Sequence, residues 1–227
     1  MIFQKRIVII LIGFVTVFDN YAQPKSERTF WVQTSEQLQV APRTSVLLLY
    51  QRREFLDREH THQHLYWVSA GYKMRNASLG GGIMYFTYHR QLKSKYGAVP
   101  EIRPFQYVSL MRTVNAWTFG ARAMLEERYL SEVHENEIKS MNHLEFRGRL
   151  RVNVNHQLHR KMNLLTTNEL FMRPDDRLVQ NRFTAEFGIF LHPIKVSVGY
   201  MYWYLEGLPI RHCGLLRVHH RINVKRG

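Results

Sequence analysis

Between positions 143 and 154 the chain alternates with a period of two. Leu144, Phe146, Gly148, Leu150, Val152 and Val154 occupy the even positions. His143, Glu145, Arg147, Arg149, Arg151 and Asn153 occupy the odd ones. Side chains two apart share one face of a β-strand, so this segment predicts a strand with one apolar and one charged face. The pattern recurs. Trp117, Phe119, Ala121, Ala123 and Leu125 alternate with Thr118, Gly120, Arg122, Met124 and Glu126. Asn181, Phe183, Ala185, Phe187 and Ile189 alternate with Arg182, Thr184, Glu186 and Gly188. Leu216, Val218, His220, Ile222 and Val224 alternate with Leu215, Arg217, His219, Arg221 and Asn223. No segment after Gln23 shows a helical stripe.

Read this way, the chain predicts strands over 30–40, 44–55, 63–73, 77–89, 105–113, 115–128, 142–155, 161–171, 178–191, 194–205 and 212–224. Most exceed the five or six residues usual in soluble sheets. The connections alternate between short turns, such as Ala41-Pro42-Arg43 and His192-Pro193, and longer loops near 56–62, 90–104, 129–141, 172–177 and 206–211. Prolines fall at connections or strand ends, where a missing N–H costs little. Single-chain bacterial barrels have an even number of strands. The eleven candidates therefore imply ten, if 30–40 is not a full strand, or twelve, if one segment is split.

The N-terminus differs. Lys5 and Arg6 precede an apolar run from 7 to 18, and Tyr21-Ala22-Gln23 offers a small residue before a cut. This is the layout of a secretory signal peptide over 1–22, with an uncleaved anchor as the alternative. The mature domain is then 23–227. Export, strands of near 9–11 residues and alternating faces together predict an all-β fold, an antiparallel transmembrane β-barrel of about 10–12 strands. A soluble lipocalin-like barrel with an apolar interior is the competing architecture, because periodicity does not say which face is inside. Phe30, Trp31, Tyr66, Trp67, Tyr85, Tyr88, Tyr107, Trp117, Tyr129, Tyr200 and Trp203 would supply aromatic girdles at the membrane interfaces.

Several stretches resemble the outer-membrane proteins grouped as domain of unknown function 2490, found in Gram-negative bacteria. They are Phe30-Trp31 leading into Leu38, the segment 45–53, 65–72 followed by 77–88, 142–154, and 181–204 ending in Tyr-Met-Tyr-Trp-Tyr. The resemblance implies a small barrel in a Gram-negative outer membrane. It implies no activity. The chain ends Asn223-Val224-Lys225-Arg226-Gly227, without the terminal aromatic common in signals read by the barrel-assembly machinery, its expected partner during biogenesis.

Charge comes next. The 227 residues hold 32 Lys and Arg against 18 Asp and Glu, a net charge of +14. Losing Lys5, Arg6 and Asp19 with the signal leaves 30 basic against 17 acidic residues. Such a balance suggests a polyanion. Export argues against nucleic acid and leaves outer-membrane lipid and lipopolysaccharide phosphates as partners. Strand phase places Arg122, Glu126, Glu145, Arg147, Arg149, Arg151, Glu169, Arg182, Glu186, Arg217 and Arg221 on polar rows that would share one lumen. They would form either a mutually paired charge plug or an arginine-lined path for anions.

Other chemistry is sparse. His60, His62 and His64 form a His-x-His-x-His run whose rings share one face of an extended segment, the only metal-ligand candidates and without a second cluster. Gly-x-Ser-x-Gly is absent, and Gly80-Gly81-Gly82 lies within a strand. No catalytic motif and no cofactor are expected. An embedded enzyme acting on envelope lipid is the alternative to a structural barrel or narrow channel. Cys213 is the sole cysteine, so no internal disulfide forms.

Overall fold

The computed structural model describes residues 26–58, 61–91, 96–131, 133–134, 137–138, 143–174 and 178–223. The expected signal segment, His60 and Val224 lie outside them. The elements are β1 (Glu27–Ala41), β2 (Thr44–Phe55), β3 (His62–Lys73), β4 (Ala77–Gln91), β5 (Tyr96–Val114), β6 (Trp117–Leu130), β7 (Val133–His134), β8 (Glu137–Ile138), β9 (His143–His159), β10 (Met162–Met172), β11 (Leu178–Leu191), β12 (Ile194–Leu205) and β13 (Arg211–Asn223). Eleven strands form one closed barrel, while β7 and β8 make a small separate hairpin.

Neighbouring barrel strands are antiparallel except where the barrel closes. An odd number of up-and-down strands leaves the first and last pointing the same way. Closure must then be parallel, and β1 pairs β13 from Glu27 opposite Arg211 to Gln39 opposite Asn223. The expectation of ten or twelve strands is thus corrected. The segment at 30–40 belongs to a full 15-residue strand, and parallel closure removes the edges that an even count would otherwise remove.

The loop expected at 90–104 is also corrected. β4 reaches Gln91 and β5 begins at Tyr96, with Pro100 and Pro104 inside a 19-residue strand. Pro104 pairs with Ile83 of β4, but the ladder to β6 skips Arg103 and Pro104. A residue without an N–H is tolerated where pairing on one side is interrupted.

Side-chain direction decides between the two barrel types. On β9, Leu144, Phe146, Leu150 and Val152 are 41–50% exposed, whereas Arg147 is 7% exposed. The charged row faces the interior and the apolar row faces outward. A lipocalin-like arrangement, apolar inside and charged outside, is not adopted. The same phase holds around the wall: Val198 and Ile83 point out, while Glu186 and Glu169 are buried.

The interior is not wholly polar. Leu65, Trp67, Met84, Phe86, Phe105 and Met124 form one inward apolar cluster on β3 to β6. Trp31, Met201, Trp203, Cys213 and Leu215 form another around the β1–β13 seam. The expected girdle is therefore corrected in part. Trp31, Trp67 and Trp203 are 3%, 8% and 4% exposed and face inward. Tyr88 packs on inward Phe55, and Tyr107 on inward Phe105. Phe30, Tyr66, Tyr85, Tyr129 and Tyr200 are exposed on the outer wall. Tyr107 has a further task. Its ring lies against Gly80 and its hydroxyl against Gly71; a Cβ at either would stand 2.5 or 2.6 Å from Tyr107 atoms. Glycine on adjacent strands thus makes room for an inward aromatic.

Candidate functional site

The lumen is built from the inward row of every strand. Its most buried carboxylate is Glu126 on β6, which has no exposed surface. Glu126 stands directly opposite Arg147 of β9 in the ladder. Arg147 donates Nε at 2.9 Å and Nη2 at 2.5 Å to one carboxylate oxygen. Arg149, two residues along the same face, donates to the other oxygen. It also donates Nη2 to Glu169 of β10 at 2.7 Å. Arg122 and Arg182 lie 3.9 Å from the same Glu169 carboxylate. Buried charge costs several kcal/mol per ion unless it is paired and hydrogen-bonded, and this chain supplies both.

The remaining residues expected in the lumen fall into separate groups. Glu145 pairs with Arg128 at 3.0 Å and Arg173 at 3.2 Å, toward the loop-bearing end. Glu186 accepts from Arg217 at 2.5 Å and from Ser197 at 3.3 Å. Arg151 lines the central cavity, and its Nε has no hydrogen-bond partner. Arg221 is exposed and borders a cavity at the short-turn end.

Strand phase alone missed part of the machinery. Glu101 accepts from Arg103 at 2.5 and 2.7 Å and from Arg128 at 2.7 Å. Glu27 accepts from Arg211 at 2.9 Å and from Arg58. Arg53 is 6% exposed and bonds Gln51 at 2.7 Å and Gln63 at 3.3 Å. Glu101 and Arg103 were hidden because Pro100 and Pro104 read as loop punctuation. Arg53 shares its row with Leu47 and Leu49, so the row looks mixed rather than charged.

Aromatic faces also hold several guanidiniums: Arg103 in addition to its Glu101 partner, and Arg53 and Arg182 without a close carboxylate bond. Arg53 sits 4.0 Å from the Trp31 ring, which meets Trp203 edge-on at 5.4 Å. Arg182 lies 4.6 Å from Phe171 and 4.7 Å from Trp203. Arg103 lies 3.7 Å from Phe86. A planar guanidinium stacks on a ring while keeping its charge, so the lumen remains positive where it is not paired.

Cavities among the described residues follow one another through this interior. A central one of about 410 Å³ is lined by Arg53, Arg103, Arg122, Arg147, Arg149, Arg151, Arg182 and Arg217, with Glu169 as its one carboxylate. One of about 670 Å³ toward the loops shares Arg53, Arg103, Arg147 and Arg182 with it. One of about 470 Å³ toward the short turns shares Arg122 and Arg151, and adds Arg43, Arg75 and Arg221 without a carboxylate. The cavities thus follow one another along the barrel, separated by shared arginines.

Of the histidine run, His62 and His64 face outward on β3, not into the lumen. They meet His89 of β4, and ring nitrogens of the three lie within 4.8 Å of one another.

Comparison with known proteins adds a family. No curated protein matches the chain. Among solved structures it is similar to OmpTdeltaL8, a loop L8 deletion mutant of OmpT, an outer membrane protein of Vibrio cholerae. The two are 11% identical with a TM-score of 0.42, over 76% of this chain and 57% of that one. The chain therefore spans less than two thirds of that structure. The model of a protein family of unknown function, DUF2490, matches residues 28–209. That match takes in β1 to β12, and the chain belongs to the DUF2490 family.

Proposed function

We propose that the protein is an outer-membrane β-barrel whose lumen is narrow, largely plugged, and open only to small anions. The central cavity carries this reading: eight arginines and one glutamate line it, and its neighbours at both ends share its arginines. Rings of arginine favour anions and repel cations at close quarters. The pairs around Glu126 and Glu169 and the two inward apolar clusters narrow the path, so the expected conductance is small.

The outer wall supports the membrane assignment. Leu48, Val68, Ile83, Val108, Leu125, Leu150, Val152 and Val198 are all at least 39% exposed, which lipid tolerates and water does not favour over so wide a band. Polar outward groups gather near the loop-bearing strand ends: Arg52 with Glu54, and Asn168 with Asn181. They fit a headgroup collar. Closure pairs each of the eleven barrel strands on both sides, which hydrocarbon demands. Delivery rests on the N-terminal segment acting as a cleaved signal. The role is non-enzymatic, since the lumen's carboxylates are held by arginines rather than left to move protons. Basic groups near the rims would meet lipopolysaccharide phosphates.

The test is planar-bilayer recording of refolded protein under a salt gradient. Small, discrete conductance steps with a reversal potential on the anion side support the reading. Silence in bilayers that show the folded, heat-modifiable form overturns the channel and leaves a structural barrel. Release of the protein into the soluble periplasm on fractionation overturns the membrane assignment itself.

A further inference from the structure

We propose that His62, His64 and His89 form a binding site for one divalent transition-metal ion, zinc or copper, on the outer face of the barrel at its loop-bearing end. The register of β3 and β4 builds it. His62 is paired directly with His89, and His64 projects from the same face two residues along. The His62 and His89 rings stack at 4.4 Å and 10°. His64 stands edge-on to both, at 5.1 and 5.4 Å. One ring nitrogen from each lies within 4.8 Å of the others. Three imidazoles around a tetrahedral ion at the usual bond length would sit about 3.3 Å apart. The ring nitrogens therefore close by up to about 1.5 Å, which rotation of half-buried side chains supplies. The fourth position is left for water or a ligand oxygen.

Two neighbours fit a metal site better than a chance grouping. Tyr50 of β2 bonds His64 Nδ1 at 2.8 Å and stacks on its ring, which fixes the ring and leaves Nε2 as the nitrogen available to an ion. An outer-shell bond to the second imidazole nitrogen is the usual companion of a metal-bound histidine. Arg52, opposite His64 in the ladder, is engaged by Glu54, and Glu54 stands opposite His62. The local charge is thus balanced before a cation arrives. Imidazole ligands suit zinc, copper and nickel, not calcium or magnesium. Beside Arg52 and Glu54 at the loop-bearing end, the three rings stand in the headgroup collar, where an ion can pin β3 to β4 and keep water as its fourth ligand. The site is independent of the lumen and of anion passage.

The experiment uses untagged, refolded full-length barrel in detergent micelles, titrated with zinc alone and with copper alone. One ion per chain is expected, with nitrogen hyperfine splitting in the copper spectrum. His64→Gln and His89→Gln should each weaken binding at least tenfold, and Tyr50→Phe by about tenfold. His212→Gln, which removes an outward histidine bonded to Tyr200 on the other side of the seam, should change nothing. In wild type, zinc should protect His62, His64 and His89, but not His212, from diethyl pyrocarbonate; this arm needs no variant to fold. Absence of saturable binding, binding unchanged in folded H64Q and H89Q, or protection that spares none of the three would each overturn the site.

Discussion

Arg147 and Glu126 face each other across the β9–β6 ladder, joined by two hydrogen bonds, with Glu126 fully buried and Arg147 nearly so. The pair is strong because it is shared. Arg149 uses the second Glu126 oxygen and then passes to Glu169, so three strands are tied by one chain of alternating charge. Its net worth depends on every member staying, since a buried charge that loses its partner is more costly than the pair is favourable.

Glu126→Ala should therefore cost about 3–5 kcal/mol of folding stability. It strands Arg147 and leaves Arg149 with Glu169 as its one carboxylate partner. Glu126→Gln, which keeps an acceptor, should cost less. Urea titration followed by heat-modifiable gel migration measures both; equal stability of wild type and E126A would show that the network is not structural.

Arg122 and Arg151 divide the central cavity from the one at the short turns, and among the described residues neither has a carboxylate within a normal bond length. Arg122→Gln with Arg151→Gln should lower anion selectivity and leave the fold intact. The reversal potential under a salt gradient should move toward zero. An unshifted potential in conducting channels would place the selective step elsewhere.

Val198 is 54% exposed in mid-strand on β12, whereas its neighbour Ser197 is buried and bonded to Glu186. If the outer wall meets lipid, Val198→Arg should cost about 2–4 kcal/mol in a bilayer. The same change should be nearly neutral in a polar-surfaced soluble barrel. Folding yields into vesicles, compared with Val198→Leu, separate the two.

Gly71 has room for a Cβ except at the Tyr107 hydroxyl, 2.6 Å away. Gly71→Ala should destabilise by about 1–3 kcal/mol through overpacking. Tyr107→Phe removes the obstructing atom and should recover most of that loss, a coupling that a double-mutant cycle reads directly. Gly80→Ala should not be rescued in this way, because its Cβ would also meet the Ala70 carbonyl oxygen at 2.5 Å.

Thr29 is opposite Cys213 in the parallel β1–β13 seam, and both are buried. Thr29→Cys should cross-link to Cys213 under mild oxidation, since neighbouring strands bring Cα atoms within disulfide range. A chain closed by a bond between residues 29 and 213 runs differently from the linear chain on a denaturing gel, and reductant should reverse the change. No cross-link in folded protein would count against parallel closure.

Strand phase was legible because it is local. Alternation at 143–154 places Arg147, Arg149 and Arg151 together on one face whatever surrounds them. Family membership was legible too, since the segments that carried the resemblance fall within the matched region. Proline misled at 100 and 104. A strand tolerates it only where its neighbour's ladder happens to break, and that break belongs to the pairing of β5 with β6, not to either sequence.

By itself, then, the sequence determined the strands, their two faces and the grouping of arginine and glutamate along one of them, because a period of two is a property of neighbouring residues. Which face became the interior, the eleventh strand and its parallel closure, and the partners of each charge were decided only in three dimensions. Glu126 meets Arg147 and Arg149, Glu101 meets Arg103 and Arg128, and His62 meets His89, through register. Register is set jointly by whole strands, and no single segment carries it.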